Sequence, residues 1–110
     1  MIPQATKPSS GIKTLVDGEA IRDVYGERLS QDHKWGVQDR APSVWLAILT
    51  EEVGEVARHI IDAINQERPI EREGYRMELV QVAAVAVAAV ECLDREALHE
   101  ARYGDWPEED

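Results

Sequence analysis

Three glutamates lie within five positions of a segment that is otherwise apolar, SVWLAILTEEVGEVARHIIDAI. They are Glu51, Glu52 and Glu55. An α-helix advances about 100° per residue, so the three side chains fall within an arc of about 100° on one face. Like charges on one face repel each other, and the arrangement is costly unless a positive group meets it. A divalent cation is such a group, and Mg²⁺ or Mn²⁺ takes carboxylate oxygens as ligands.

A second pair of oxygen-bearing side chains, Glu78 and Gln81, repeats the spacing of three beside the apolar run VAAVAVAAV. The midpoint between this pair and the pair Glu52 and Glu55 falls in NQERP, where Pro69 predicts a turn. If two helices form a roughly symmetric hairpin about this turn, the two pairs come to the same level. The spacing therefore predicts a metal site made by these four residues. The alternative is an acidic stripe exposed to water.

Helices are predicted on both sides of this turn. An earlier helix lies in VDGEAIRDVYGERLSQDHKW, where apolar residues recur at helical spacing. The second runs from about Pro42 to Asn65 and the third from about Glu73 to Arg95, with a short last helix possible in DREALHEAR. We therefore expect an all-α helical bundle with a central antiparallel hairpin. The predicted domain is residues 13–103, between a leader of residues 1–12 and an acidic tail of residues 104–110.

The centre of the third helix is apolar on every side, which is typical of a helix surrounded by other helices. A chain of 110 residues has few helices with which to cover it. This favours a homo-oligomer, either a homodimer or a homotetramer, that buries the segment 82–90. Gly54 costs stability in a helix interior, so we also expect a neighbouring backbone to approach it closely.

The composition restricts the possible partners. The formal net charge is −10, from 22 acidic and 12 basic residues. This argues against nucleic acid and against an anionic membrane surface, both of which require a basic patch. An acidic protein can still bind phosphates when a divalent cation supplies the positive charge. Cys92 is the only cysteine, which excludes an internal disulfide and favours a reducing, cytoplasmic environment.

The stretch EEVGEV followed by ELVQVAAVAV resembles the MazG-like, all-α nucleoside triphosphate pyrophosphohydrolases. Their pattern is EExxE, a spacer, and then ExxD. This chain has Glu51-Glu52-x-x-Glu55, 22 intervening residues, and then Glu78-x-x-Gln81. The segment DHKWGVQ, which precedes the acidic helix, is similar to the corresponding part of short, phage-type members. Gln81 departs from the pattern, since the family has aspartate there, and an amide oxygen brings no charge to a metal.

The resemblance implies hydrolysis between the α and β phosphates of a nucleoside triphosphate, giving a monophosphate and pyrophosphate. It implies that Glu52, Glu55 and Glu78 bind Mg²⁺, or Mn²⁺ in its place, and that Glu51 orients or deprotonates the attacking water. The substitution at Gln81 keeps a second hypothesis open. In it the chain is a catalytically weak relative that binds nucleotides or offers a helical surface to a partner.

Five further residues are candidates for binding the substrate. Lys34, Arg58 and Arg76 are cations that we expect near the phosphates, and Trp35 and Gln38 have the chemistry to stack on a base and to hydrogen-bond it. Each has an ordinary alternative, because cations are common on surfaces and tryptophans are common in cores. Trp45 is expected to be a core residue.

Overall fold

Three helices make up the fold. The computed structural model describes residues 18–107 and contains α1 (Glu19–Trp35), α2 (Pro42–Asn65) and α3 (Arg72–Tyr103). No strand occurs in residues 18–107, which confirms the predicted all-α class. The predicted leader of residues 1–12, the first residues of the predicted domain (13–17) and the end of the acidic tail (108–110) lie outside the described residues. None of the three helices has a stretch both long enough and apolar enough to cross a membrane.

The ends of the helices follow from local sequence. Pro42 occupies the first turn of α2, where its missing N–H donor costs nothing. The α1 helix ends at Trp35 and is capped by Gly36, whose φ of 75° is accessible to glycine and whose N–H donates to the Asp32 carbonyl. At the start of α3 the Glu71 carboxylate accepts a hydrogen bond from the Gly74 N–H, which satisfies one of the unpaired donors of the first turn. These signals position α2 where the sequence predicts it.

The third helix is longer than predicted. We expected an end near Arg95 and a separate short helix after it, but α3 continues without a break to Tyr103. The expectation was wrong because no proline or glycine lies between Tyr75 and Tyr103. A change from apolar to charged residues near Asp94 alters the surface of the helix without disrupting its hydrogen bonds.

The core lies where α2 packs on α3, and α1 also packs on α3. The buried cluster consists of Trp45, Val85, Ala88 and Cys92, with Ile48, Leu49 and Ala89 packed against it. Most of the contributions from α3 are small, so the helices approach closely. The Cys92 thiol also lies 3.7 Å from the Arg40 carbonyl oxygen, just before α2.

A close approach occurs at Gly74 and not at Gly54. A Cβ atom on Gly74 would lie 2.6 Å from both the His59 ring on α2 and the Glu71 carboxylate, so a side chain here would require these two side chains to move. A Cβ atom on Gly54 would meet nothing within 4 Å. The expectation that a neighbouring backbone approaches Gly54 was therefore wrong within this chain, because Gly54 lies on an exposed part of α2.

Arg28 joins α1 to α3. The residue is 8 % exposed, and its guanidinium donates to Glu91 on α3 at 2.9 Å and to Gln31 and Asp32 on its own helix at 3.0 Å each. Burial lowers the pKa of Arg28, but the hydrogen bonds to Glu91 and Asp32 outweigh this effect and raise it above its ordinary value. The guanidinium therefore stays charged and holds both helices.

Removing this guanidinium should destabilise the protein. We expect Arg28→Ala to lower the free energy of unfolding by about 1–2 kcal/mol, since it leaves half-buried polar partners without their donor. Urea unfolding followed by circular dichroism measures the change. Arg76→Ala is the matched control, because Arg76 pairs with Asp23 where both side chains are half exposed. It should cost less than about 1 kcal/mol. Equal losses would show that Arg28 has no special role in joining the helices.

Candidate active site

A cleft of 260 Å³ brings together side chains from all three helices. Its walls include five residues that the sequence predicts to bind metal or substrate, namely Lys34, Trp35, Gln38, Glu52 and Gln81. Its apolar floor comes from the core, where Trp45, Ile48, Val85 and Ala88 line the same space. The cleft therefore has polar walls and an apolar floor that includes the Trp45 ring.

Helical spacing explains why α2 and α3 each contribute one face to the cleft. Trp45, Ile48 and Glu52 are separated by three and four residues, which places them on one side of α2. Gln81, Val85 and Ala88 follow the same rule on α3. Each helix thus brings one polar end and one apolar part of its face to the same cavity.

The predicted acidic residues gather around Glu52. Burial raises the pKa of Glu52 above its ordinary value, and the negative charges of Glu78, Glu55, Glu51 and Glu27 raise it further. Glu78 belongs to α3 and Glu27 to α1, so carboxylates from three helices influence one another here. Glu51 and Glu55 are exposed, whereas Glu52, Glu78 and Gln81 are half-buried. The carboxylates of Glu78, Glu55, Glu51 and Glu27 therefore act together to disfavour the charged form of Glu52.

The carboxylate and amide oxygens here are suitable ligands for a hard divalent cation, but the side chains are not arranged around a common metal position. Within residues 18–107, no three His, Cys, Asp or Glu side chains are arranged as a group that could hold a metal ion. Carboxylate and amide oxygens are nevertheless the ligand types that Mg²⁺ takes. Exposed glutamate side chains such as Glu51 and Glu55 can change rotamer at small cost. A cation in this cluster would therefore require side-chain movement.

The three predicted phosphate-binding cations lie in different places. Lys34 lines the cleft. Arg58 is exposed outside the cleft lining, with its guanidinium 3.8 Å from the Glu55 carboxylate. Arg76 is also outside the lining and pairs with Asp23 on α1 at 2.8 Å. The structure thus brings Lys34 into the cleft, while Arg58 and Arg76 would each have to leave a carboxylate to reach a bound phosphate.

Sequence reasoning missed most of the contribution from α1. Glu27, Arg28, Gln31 and Asp32 all line the cleft, and they recur at the spacing that defines one side of a helix. Their spacing relative to Trp35 would have identified a polar face, but nothing local in the chain shows that this face meets α2 and α3. Trp45 was expected in the core and is buried there, yet it also forms part of the cleft wall.

Comparison of the chain with protein-family models, with curated protein sequences and with solved structures finds no match.

Proposed function

We propose that this protein is a metal-dependent nucleoside triphosphate pyrophosphohydrolase, which cleaves between the α and β phosphates and releases a monophosphate and pyrophosphate. The observation that carries the proposal is the group of carboxylates around Glu52, whose pKa is raised by burial and by charges from all three helices. It borders a cleft that also contains Lys34 and Trp35. The resemblance of the two acidic motifs to the MazG-like pattern supports the same chemistry.

An antiparallel hairpin of α2 and α3 is part of the proposal, since it sets the acidic motifs opposite each other. Contacts support an antiparallel arrangement. From Asp39 through α2, residues that come later in the sequence contact residues that come earlier in α3. Asp39 pairs with Arg95, Arg40 contacts Cys92, and Trp45 packs in one cluster with Val85 and Ala88. Glu52 shares the cleft with Gln81. Residues 66–71, between the two helices, provide the turn.

Each side chain has a role in this proposal. Glu52, Glu55 and Glu78 hold the cation through carboxylate oxygens, and Gln81 does so through its amide oxygen. Bound Mg²⁺ or Mn²⁺ supplies the positive charge that lets a triphosphate enter an acidic cleft, and it polarises the phosphoryl oxygens. Glu51 accepts the proton of the attacking water. Lys34 binds a phosphate, Trp35 stacks on the base, and Gln38 hydrogen-bonds it.

The proposal includes a homodimer formed through α1 and α3. Ile21, Tyr25 and Leu29 on α1 are each more than half exposed, and together with Val87 on α3 they line one groove. Val90 on α3 is exposed as well. A second copy is a natural cover for so large an apolar surface. We expect light scattering to give twice the mass of one chain, and Leu29→Glu to convert the dimer to monomer. A monomeric parent at high micromolar concentration would contradict the dimer.

Pyrophosphate release tests the proposed activity. The purified full-length protein is incubated with a panel of ribo- and deoxyribonucleoside triphosphates, with Mg²⁺ or Mn²⁺, and the products are identified as monophosphate and pyrophosphate. A Glu52→Gln variant of the same preparation controls for contaminating phosphatases and should be inactive. If no nucleotide is hydrolysed but one binds, the second candidate stands, namely a nucleotide-binding relative. Gln81 favours the nucleotide-binding relative, because its amide lacks the negative charge that the aspartate of the MazG-like pattern would bring to a metal.

A further inference from the structure

One side of α3 carries a stripe of apolar residues that stays exposed beside α1 and α2. Leu79, Val90 and Leu93 in this stripe are 43 %, 56 % and 62 % exposed. Its members recur at alternating intervals of four and three residues, so at about 100° per residue they fall within an arc of about 80°. We call this stripe the α3 seam, and it consists of Leu79, Ala83, Ala86, Val90, Leu93 and Ala97.

The α3 seam lies on the side of the helix that faces away from the cleft. Gln81, Val85 and Ala88 line the cleft from α3, and by helical rotation they lie about 150° from the centre of the seam. A contact made by the seam therefore leaves the cleft open. Val90 belongs both to the seam and to the apolar surface of α1 and α3 that the proposed homodimer buries. The seam thus continues that surface along α3.

The sequence around the seam is symmetric about Ala86. The run VAAVAVAAV, residues 82–90, reads identically in both directions with Ala86 at its centre. Leu79 and Leu93 lie seven residues before and after Ala86. In an antiparallel pair of α3 helices with a twofold axis at Ala86, the Leu79 layer of one chain therefore meets the Leu93 layer of its partner. The small alanines between these layers allow the two helices to approach closely.

Charge at the two ends of α3 distinguishes an antiparallel pair from a parallel one. The groove at the start of α3 is lined by two arginines, Arg72 and Arg76, and by one glutamate. The pocket near the other end is lined by carboxylates, among them Glu96 and Asp105, which outnumber the single guanidinium of Arg40. An antiparallel copy brings the basic end of one helix to the acidic end of the other, whereas a parallel copy brings like charges together. The charges therefore favour the antiparallel pair.

The apolar area is of the size that a stable dimer needs. Seven large side chains of the seam and of the adjoining groove are each about half exposed, and together they present an area on the order of the 800 Å² that each partner of a specific interface buries. They are Ile21, Tyr25, Leu29, Leu79, Val87, Val90 and Leu93. We infer that α3 pairs antiparallel with the partner's α3 in the homodimer, with the twofold axis at Ala86. The inference rests on the proposed function for the existence of the homodimer, and not on nucleotide hydrolysis.

An engineered cysteine locates the twofold axis. Ala86→Cys places two thiols across the axis, where their Cβ atoms can reach the separation of about 4 Å that a disulfide requires. With copper phenanthroline as oxidant, the full-length variant should form linked dimers at least about tenfold faster than Ala97→Cys, because a fixed neighbour acts as a thiol at millimolar concentration. Ala97 is the matched control, since it is an exposed alanine of the same seam. Eleven residues from the axis, it lies about 33 Å from its own copy in the antiparallel pair. The parent protein is a second control, since its only thiol, Cys92, is buried.

A mixture of two variants tests the direction of pairing without a thiol on the axis. Leu79→Cys and Leu93→Cys carry different affinity tags and are oxidised separately and then together. Each alone should give little linked dimer, because its thiol lies about 21 Å from its own copy. The mixture should give a linked heterodimer that carries both tags, because position 79 of one chain meets position 93 of its partner. Equal linking of Ala86→Cys and Ala97→Cys, or efficient linking of Leu79→Cys alone, would show a parallel pair and overturn the inference.

Cross-linking requires no nucleotide, which separates this inference from the proposed activity. If Ala86→Cys links but no triphosphate is hydrolysed by the parent, the hydrolase proposal fails and the antiparallel pair stands. If triphosphates are hydrolysed and the parent is a dimer, but neither Ala86→Cys nor the mixture links, the antiparallel pair fails and the hydrolase proposal stands. A parent that light scattering shows to be monomeric at the concentration used for oxidation would overturn the antiparallel pair together with the dimer.

Discussion

Glu51→Gln should lower the turnover number for nucleotide hydrolysis by a factor of about 10² to 10⁴ and leave the affinity for Mg²⁺ nearly unchanged. Glutamine is isosteric with glutamate but cannot accept a proton from water, and loss of a general base costs a factor of this size. Glu51 is also exposed, so the substitution disturbs no packing. Steady-state kinetics at saturating metal give the turnover number, and calorimetric titration gives the metal affinity.

A matched control shows whether the effect comes from chemistry or from net charge. Glu100→Gln removes the same single charge from an exposed position near the end of α3 and should leave the turnover number within about twofold, since isolated surface charges act weakly through water. If Glu51→Gln weakens metal binding as much as it lowers the rate, Glu51 is a metal ligand and another group activates the water.

The elements that were predicted from the sequence are those whose signals are local. Pro42 begins α2, and the polar stretch with Pro69 separates it from α3, so the bounds of α2 follow from residues next to its ends. The end of α3 was missed because its amino-acid types change near Arg95 while its backbone does not. The expectation for Gly54 was wrong because it inferred a tertiary contact from the type of one residue.

The sequence could group only those cleft and cluster residues that belong to the two acidic motifs. Glu52, Glu78 and Gln81 could be grouped because a turn of known position relates them. Glu27 and Gln31 could not, since α1 packs on α3 through long-range contacts such as the bond from Arg28 to Glu91. Composition and periodicity show that α1 has a polar face, but only the packing shows which helices this face meets.

Neutralising two members of the acidic cluster should stabilise the metal-free protein. In Glu52→Gln, Glu55→Gln the repulsion among the carboxylates is relieved, so the melting temperature without metal should rise. The parent should gain stability from Mg²⁺, by about 2.7 kcal/mol at a concentration a hundredfold above Kd, because the ion binds only the native state. The double variant should lose that gain. Thermal unfolding with and without Mg²⁺ measures both effects.

The same cluster makes stability depend on pH in a defined direction. The pKa of Glu52 is higher in the folded state than in the unfolded chain, first because of burial and then because of Glu78. The folded state therefore binds the proton more tightly, and its stability contribution is fully present below the unfolded pKa. It is lost as pH rises through the raised folded pKa. The double variant should flatten this dependence. A variant that melts like the parent at every pH, and gains equally from Mg²⁺, would place the metal elsewhere.

Gln81→Asp should have the opposite effects, lowering the stability of the metal-free protein and raising its affinity for Mg²⁺. Gln81 is half-buried in the cleft beside Glu52, so an aspartate there adds a negative charge where repulsion is already present. Without metal the variant should be less stable than the parent, and its Mg²⁺ affinity should be higher, by about tenfold, because a carboxylate binds a hard cation more strongly than an amide does. A second cation should also bind more readily, since the additional charge offsets part of its own.

The two outcomes of Gln81→Asp are linked, and the link makes the test decisive. If Gln81 faces the cation, the stability lost without metal should be recovered when Mg²⁺ is added, because one charge is responsible for both effects. If Gln81 instead only fills space between the helices, the loss persists at every Mg²⁺ concentration. Glu100→Asp, which shortens an exposed side chain and keeps its charge, controls for the lower helix propensity of aspartate. A folded Gln81→Asp variant with unchanged or weaker Mg²⁺ binding would remove Gln81 from the metal site, and with it the alignment of the second motif on α3 with the first on α2.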